Sequence, residues 1–265
     1  VAKRRPKSKA KTLTILLKSA QTDTTNIVTG ALYQYKAKKQ AVSKPWRKKT
    51  FHPSGLLNCE RKQVAVILYW QKAKPNFTPK LLDIFDNGHY VHDRIQKEMI
   101  AAGLVPQRNM WFPHWSRSIY KPYTCEVPIR YDPWLLSGTC DAIIIYNKKY
   151  YIVEIKSMND WSFNQLRKPH DDHYCQGQAY LKMSEQTLKI EIAGIIYLYE
   201  NKNDQRRKEF LIEKDEVYLK KLAMKLLRLK KNYVEKNKVP NRQFEKDSTD
   251  CEQCDMAEWC WKEAK

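Results

Sequence analysis

The segment Val153-Glu154-Ile155-Lys156 sets a carboxylate and an amine two residues apart, interleaved with two apolar residues. On a β-strand successive side chains point to opposite faces, so Glu154 and Lys156 project to one side while Val153 and Ile155 project to the other. The strand before it, carrying Ser137-Gly138-Thr139-Cys140-Asp141, supplies a second acid. A tight hairpin at Asn147-Lys148 lets Asp141 stand near Glu154. Two carboxylates at one point repel each other unless a hard cation joins them, and Mg²⁺ or Mn²⁺ favours such oxygen ligands. Taken alone, Glu-x-Lys also describes an exposed cross-strand pair of little energetic consequence. The apolar interleaving speaks against a solvated strand.

Further polar residues fall at helical spacing. His92 lies in a segment from Thr78-Pro79 to Gly103 that has an N-cap, Pro at N1, a glycine stop, and Leu81, Phe85, Ile95 and Met99 in phase with it. His89 shares its face, so register decides between the two histidines. Gln176 and Tyr180 are one helical turn apart and can face the sheet edge together, although both also read as polar core residues.

A second constellation is Cys251-x-x-Cys254-x-x-x-x-x-Cys260 with the distant Cys59. Seven cysteines is an odd count, and this spacing points to metal ligation rather than to a disulfide framework. Four thiolates suit either a [4Fe–4S] cluster or tetrahedral Zn²⁺. Cys125, Cys140 and Cys175 sit in apolar or mixed sequence and read as small hydrophobes.

Taken together, Gly88-x-x-x-His92, Gly138-x-x-Asp141, Glu154-Ile155-Lys156 and Gln176-x-x-x-Tyr180 occur in the order typical of RecB-like nucleases of the PD-(D/E)xK superfamily. The resemblance spans Ser54 to Cys260. It implies a restriction-endonuclease-like α/β core, in which His92, Asp141 and Glu154 bind Mg²⁺ or Mn²⁺. It also implies that Lys156 positions the attacking water, while Gln176 and Tyr180 organise the site and the DNA backbone. The cysteine pattern resembles the iron-sulfur form of these enzymes, the AddB type and the CRISPR-associated RecB-like exonucleases. That likeness implies a [4Fe–4S] cluster on Cys59, Cys251, Cys254 and Cys260, with Zn²⁺ as the alternative, clamping an N-terminal helix to the C-terminal tail.

The elements that must position these groups are legible in outline. Alternation and turn residues predict strands over 123–131, 135–146 and 150–156 as an antiparallel meander, then strands over 192–200 and 208–212. Helices are predicted from Ser54 through Leu68 with Cys59 in the second turn, over 78–103, 171–189 and 215–236. Leu219, Leu222, Leu226, Leu229 and Tyr233 form one apolar stripe on the last of these. Helices therefore flank a central mixed sheet.

Residues 1–50 hold fourteen basic side chains against the single acid Asp23 and read as a basic arm ahead of a nuclease-like domain over 51–265. The whole chain carries 49 Lys and Arg against 29 Asp and Glu, a net charge of +20. Such a field attracts polyanions and penalises acidic protein partners, which makes nucleic acid the leading partner. No run approaches the roughly 18 apolar residues of a membrane-spanning helix, and nothing reads as a secretory signal. The sequence is therefore expected to work in a reducing cytoplasm, bacterial or phage-infected.

These readings predict a metal-dependent DNA exonuclease acting on single-stranded or duplex ends, with replication or recombination proteins as further partners. The small size and lack of a helicase motif suit recombination or repair of phage or plasmid DNA. A structure-specific endonuclease would use the same residues, and a DNA-end-binding scaffold would keep the fold without cleavage. Trp111, Phe112, Trp115 and Trp161 are candidates to stack on unpaired bases or to sit in the core.

Overall fold

The computed structural model describes residues 27–42, 48–74, 77–108, 122–252 and 254–263. In chain order they form helices α1 (Ile27–Val42), α2 (Glu60–Leu68) and α3 (Pro79–Ala101), then strands β1 (Cys125–Tyr131), β2 (Leu136–Tyr146) and β3 (Lys149–Met158). Helices α4 (Asp160–Gln165) and α5 (Asp171–Thr187) follow, then β4 (Ile192–Asn201), β5 (Arg207–Ile212), α6 (Glu216–Leu229) and α7 (Thr249–Glu252). No helix of the described residues is long and apolar enough to cross a membrane.

These residues group into two compact units. The larger comprises 48–69 and 88–244, and the smaller takes the described residues of 1–47, 70–87 and 245–265.

In the larger unit the five strands lie in the order β1-β2-β3-β4-β5. All neighbours are antiparallel except β3 and β4, which run parallel. A parallel pair needs a crossover, and α4 and α5 supply it. The β2–β3 connection is the two-residue turn expected at Asn147-Lys148, both residues at positive φ (48° and 63°), which matches the right-handed twist of the flanking strands.

Alternation along the strands divides the core in two. Ile143, Ile152, Ile195 and Tyr197 pack with Ala179 and Met183 of α5 and with Leu219, Leu222 and Leu226 of α6. Ala142, Ile144, Val153, Ile155 and Leu198 pack with Val91, Ile95 and Met99 of α3. Each such aliphatic side chain withdrawn from water contributes about 1.5–3 kcal/mol, enough to hold α3 on one face and α5 with α6 on the other. This is the helix-flanked mixed sheet expected from the sequence.

Local chemistry sets the helix limits. Thr78 Oγ1 accepts from Leu81 N–H at 3.2 Å at the start of α3, and Gly103, at φ 73°, ends it in the left-handed conformation that glycine adopts without cost. Asp215 Oδ1 accepts from Tyr218 N–H at 2.9 Å and caps α6. Two predicted helices differ from the structure. Ser54 lies in a single 3₁₀ turn, Pro53–Gly55, and α2 starts only at Glu60 with Cys59 as its N-cap residue. Gly55 and Asn58, both poor helix formers, interrupt the earlier start. The last helix is regular to Leu229 and then widens into a π turn over Lys230–Val234. Helix α4 was not foreseen; it is a short turn capped by Asn159 Oδ1, which accepts from Ser162 N–H at 2.8 Å.

The smaller unit holds α1, which falls within the segment read as the basic arm, the first turns of α3, and α7. Lys36 Nζ reaches Asp86 Oδ2 at 2.7 Å and also pairs with Asp83. Lys74 Nζ lies 2.8 Å from Glu258 Oε2, and its N–H donates to the Asp255 carbonyl at 2.7 Å. Lys3, Arg4, Arg5 and the other bases before residue 27 lie outside the described residues, as do Trp111, Phe112 and Trp115.

Candidate active site

The candidate residues of the larger unit gather where β2 and β3 part. Their pairing runs from Tyr146↔Lys149 to Ala142↔Val153 and stops there. The next pair in line is Asp141 and Glu154. At that point the Asp141 carboxylate takes over the ladder, its Oδ2 accepting from Ile155 N–H at 2.6 Å. Beyond it β3 pairs only with β4, so Glu154 and Lys156 stand at an opening in the sheet.

Glu154 is buried, 4% exposed, and held from two sides. Its Oε1 accepts from Lys156 Nζ at 2.9 Å and from Gln176 Nε2 at 2.7 Å. Gln176 Nε2 also lies 3.1 Å from Tyr180 OH, which donates to the Thr139 carbonyl at 2.9 Å. The predicted i, i+4 pair on α5 therefore faces the sheet, as its spacing suggested. Burial, and then the neighbouring charge of Asp141, push the Glu154 carboxyl up to about 7 against the opposing charges of Lys156 and His92.

Helix α3 brings the histidine from the other face. His92 Nδ1 lies 3.2 Å from Asp141 Oδ1, whereas His89 is exposed, so register selects His92. Burial alone would lower the proton affinity of this imidazole. The Asp141 carboxylate, with Glu154 behind it, outweighs that effect and raises it. Two residues further on, Arg94 pairs with the fully buried Glu200 on β4, and Arg207 Nε joins at 3.1 Å. This ion cluster fixes the turn of α3 that carries His92. Gln96, one turn beyond His92, donates through Nε2 to the Asp141 carbonyl at 2.8 Å and to Glu126 Oε1 at 2.9 Å.

Gly138 shows why the motif begins with glycine. A Cβ there would meet Tyr180 Cε1 and Pro53 Cδ at 3.1 Å and Pro53 Cγ at 3.2 Å. The segment around Pro53 thus lies directly against the strand that carries Asp141. The same segment lines a cleft of about 370 Å³ with Lys48, Thr50, His52, Ser54, Asn58 and Lys62. Burial, with the charges of Lys48 and Lys156, lowers the His52 imidazole below its ordinary value.

Glu126 and Gln96 were missed by the sequence reading. Gln96 follows His92 at i+4, a spacing open to reading, whereas Glu126 comes beside Asp141 only through the register Tyr131↔Leu136, one residue away from the one the predicted strand ends imply. Burial is the main cause that raises the Glu126 carboxyl above its ordinary range, followed by the charge of Asp141, with His92 and His89 opposing. Trp161 is 75% exposed at the start of α4 and is not a core residue.

The cysteines differ in burial. Cys125, Cys140 and Cys175 are buried, and burial pushes the Cys125 thiol up to about 12, the behaviour of an inert hydrophobe. The other four are half-buried: Cys59 in the larger unit, and Cys251, Cys254 and Cys260 in the smaller. Among the described residues, no three His, Cys, Asp or Glu side chains close on a single point as they would around an ion.

The sequence profile of the PD-(D/E)XK nuclease superfamily matches residues 36–261, from α1 to the last cysteine. The chain belongs to this superfamily. Asp141, Glu154 and Lys156, whose order and spacing resemble the acid pair and lysine of PD-(D/E)XK enzymes, stand in the opening between β2 and β3. Solved structures similar to this PD-(D/E)XK chain include that of SSO0001, at 16% identity and a TM-score of 0.46, covering 87% of this chain and 95% of the other. The alkaline exonuclease LHK-Exo from Laribacter hongkongensis matches at 12% identity and a TM-score of 0.46, over 72% of this chain and 90% of its own. Its complex with dAMP matches at 11% identity and 0.47, over 71% and 89%. No curated protein matches the chain in sequence.

The donor set fits a divalent cation on an observation of the site itself. Glu154 Oε2 is buried and accepts no hydrogen bond, while the acid it faces across the strands is Asp141. A buried carboxylate oxygen without a donor, next to a like charge, is stabilised by a hard cation.

Proposed function

We propose that this protein is a metal-dependent deoxyribonuclease that removes nucleotides from DNA ends, with Asp141, Glu154 and His92 as the groups that hold Mg²⁺ or Mn²⁺. The observation that carries the reading is the buried Glu154 carboxylate, which keeps one oxygen for Lys156 and Gln176 and leaves the other without a donor. A divalent ion bound there would polarise a phosphodiester oxygen and acidify a coordinated water. Lys156, fixed by Glu154 at 2.9 Å and still partly open to solvent, is placed to orient water for in-line attack and to meet developing charge on the phosphate. Gln176 and Tyr180 hold the rotamer of Glu154 from behind, and His92 holds Asp141.

The cleft that Lys48 and Lys62 line, together with the net charge of +20, supports a polyanionic strand as the substrate. Exposed Trp161 is available to stack on an unpaired base. Cys59, Cys251, Cys254 and Cys260 are proposed to hold a [4Fe–4S] cluster with a structural role, Zn²⁺ being the alternative. The setting proposed is recombination, replication or repair of phage or plasmid DNA in a bacterial cytoplasm.

The test is digestion of end-labelled single-stranded and duplex DNA, alongside closed circular DNA, with Mg²⁺ and Mn²⁺ compared. Metal-dependent loss of linear DNA with the circle spared is the expected result. Cutting of the circle would assign the same residues to a structure-specific endonuclease. Binding without cleavage in either metal would leave a DNA-end-binding scaffold.

A further inference from the structure

We propose that Glu126 is a third acidic residue of the divalent-cation site, lending its carboxylate on the side of Asp141 away from Glu154. The inference rests on the nuclease reading above and goes beyond its motif, since neither the acid pair, the lysine nor the histidine requires it.

Register gives the first argument. Cys125 pairs with Ala142 and Val127 with Cys140, so Glu126 and Asp141 fall between the same two pairs of β1 and β2, at a position where the ladder itself is interrupted. Asp141 in turn is the next pair in line with Glu154 across β2 and β3. Three acids therefore lie at one level on three adjacent strands. Facing them are Lys156, committed to Glu154, and His92, committed to Asp141, with His89 acting on Glu126 from the exposed side of α3. Like charges directly opposite each other on neighbouring strands are destabilising, and burial strengthens the repulsion. A divalent cation taken up beside Asp141 would relieve the repulsion from either side.

The second argument is how Glu126 is held. Its backbone lies in the left-handed region at φ 48°, within a strand and at a residue that is neither glycine nor asparagine. That conformation costs on the order of 1–3 kcal/mol and is kept only where surrounding contacts enforce it. Gln96 holds the side chain that this backbone presents: its Nε2 bonds both Glu126 Oε1 and the Asp141 carbonyl and ties the two residues to the α3 turn below His92. The third is the buried, donor-free Oε2 of Glu154 in the same row, an unanswered acceptor that points to a missing positive partner.

The experiment is Mn²⁺ binding to the full-length protein, followed by paramagnetic resonance and calorimetry in the absence of DNA. Wild type, Glu126→Gln, Glu126→Asn and Asp141→Asn are compared, with melting temperature recorded for each. Glutamine keeps an oxygen for Gln96, and asparagine suits the left-handed backbone, so at least one neutral variant is expected to fold. The expected result is Mn²⁺ binding to both Glu126 variants weakened by roughly tenfold or more, or one ion fewer bound, with melting little changed. Unchanged stoichiometry and affinity in a folded Glu126 variant, with binding lost in Asp141→Asn, would overturn the role of Glu126 and leave the nuclease reading standing. No Mn²⁺ binding by wild type would overturn both.

Discussion

Gln176 Nε2 lies 2.7 Å from Glu154 Oε1, so a residue on the helix behind the sheet fixes the conformation of the acid that the strand presents. The same amide meets Tyr180 OH, and through it the Thr139 carbonyl on the strand of Asp141. One connected set of hydrogen bonds thus ties Glu154 to the strand that carries Asp141. Gln176→Ala is expected to lower metal affinity or cleavage rate by roughly 10–100-fold, the usual cost of losing an outer partner of a metal ligand. Steady-state cleavage across a Mn²⁺ titration checks this. Wild-type rates at every Mn²⁺ concentration would show that Lys156 alone suffices to hold Glu154.

Gly138 tests the packing behind that network. In Gly138→Ala the new methyl meets Tyr180 and Pro53 at 3.1–3.2 Å, and overpacking of this kind costs about 1–3 kcal/mol. Tyr180 is the part able to yield, which misplaces Gln176 in turn. Cleavage measured well below the melting temperature should therefore fall further than the stability loss explains. A variant that melts and cleaves like wild type would mean that the strand shifts freely and the glycine is dispensable.

His173, on the same helix, gives a pH signature. It is stacked on Tyr197 with ring centroids 5.7 Å apart, and its Nδ1 lies 2.7 Å from Tyr199 OH. Burial, and then the charge of Lys156, lower it from 6.5 to about 4. Because the folded value is the lower one, the unfolded chain binds more protons between these pH values. The contribution is complete above about 6.5 and is lost as pH falls toward 4, at most about 3 kcal/mol. Glu154, raised by burial, pulls the opposite way over part of this range, but it does so in both proteins when wild type is compared with His173→Gln. Urea unfolding should show the gap between them shrinking from pH 7.5 to pH 4.5. A gap independent of pH would mean that His173 takes up its proton in the fold as readily as in the unfolded chain.

For the cysteine constellation the expected outcome is brown protein with broad visible absorbance after anaerobic purification, and destabilisation on changing Cys59, Cys251, Cys254 or Cys260 to Ala. Colourless protein with stoichiometric zinc would assign tetrahedral Zn²⁺ instead, and the absence of either metal would remove both assignments.

Much of this site was legible before any coordinates. Period-two alternation through Val153-Glu154-Ile155-Lys156 set which side chains share a face, and the Asn147-Lys148 turn placed Asp141 beside Glu154, because a two-residue hairpin leaves one register. Spacing of four put Gln176 with Tyr180. Other features were hidden for physical reasons. The choice of His92 over His89 depends on the docking of α3, which Arg94 and Glu200 set across more than a hundred residues. The break in the helix before Cys59 turns on about 1–2 kcal/mol of helix propensity at Gly55 and Asn58, a cost that tertiary packing can override and that a pattern does not resolve. Glu126 was obscured by its position in an ordinary β-strand run, where its left-handed backbone leaves no mark in sequence.

The central claim is that Asp141, Glu154 and Lys156 form the reacting centre of a nuclease, and the most direct measurement is single-turnover cleavage of end-labelled DNA by Asp141→Asn, Glu154→Gln and Lys156→Ala, each with its melting curve and DNA affinity. Each variant should lose at least roughly a hundredfold in rate, more than loss of an outer partner costs, while DNA binding and fold persist. Glu154→Gln should melt no lower than wild type, since it removes a buried charge that Asp141 repels. Near-normal turnover by any two of the three would contradict the account and place the reacting centre elsewhere in the chain.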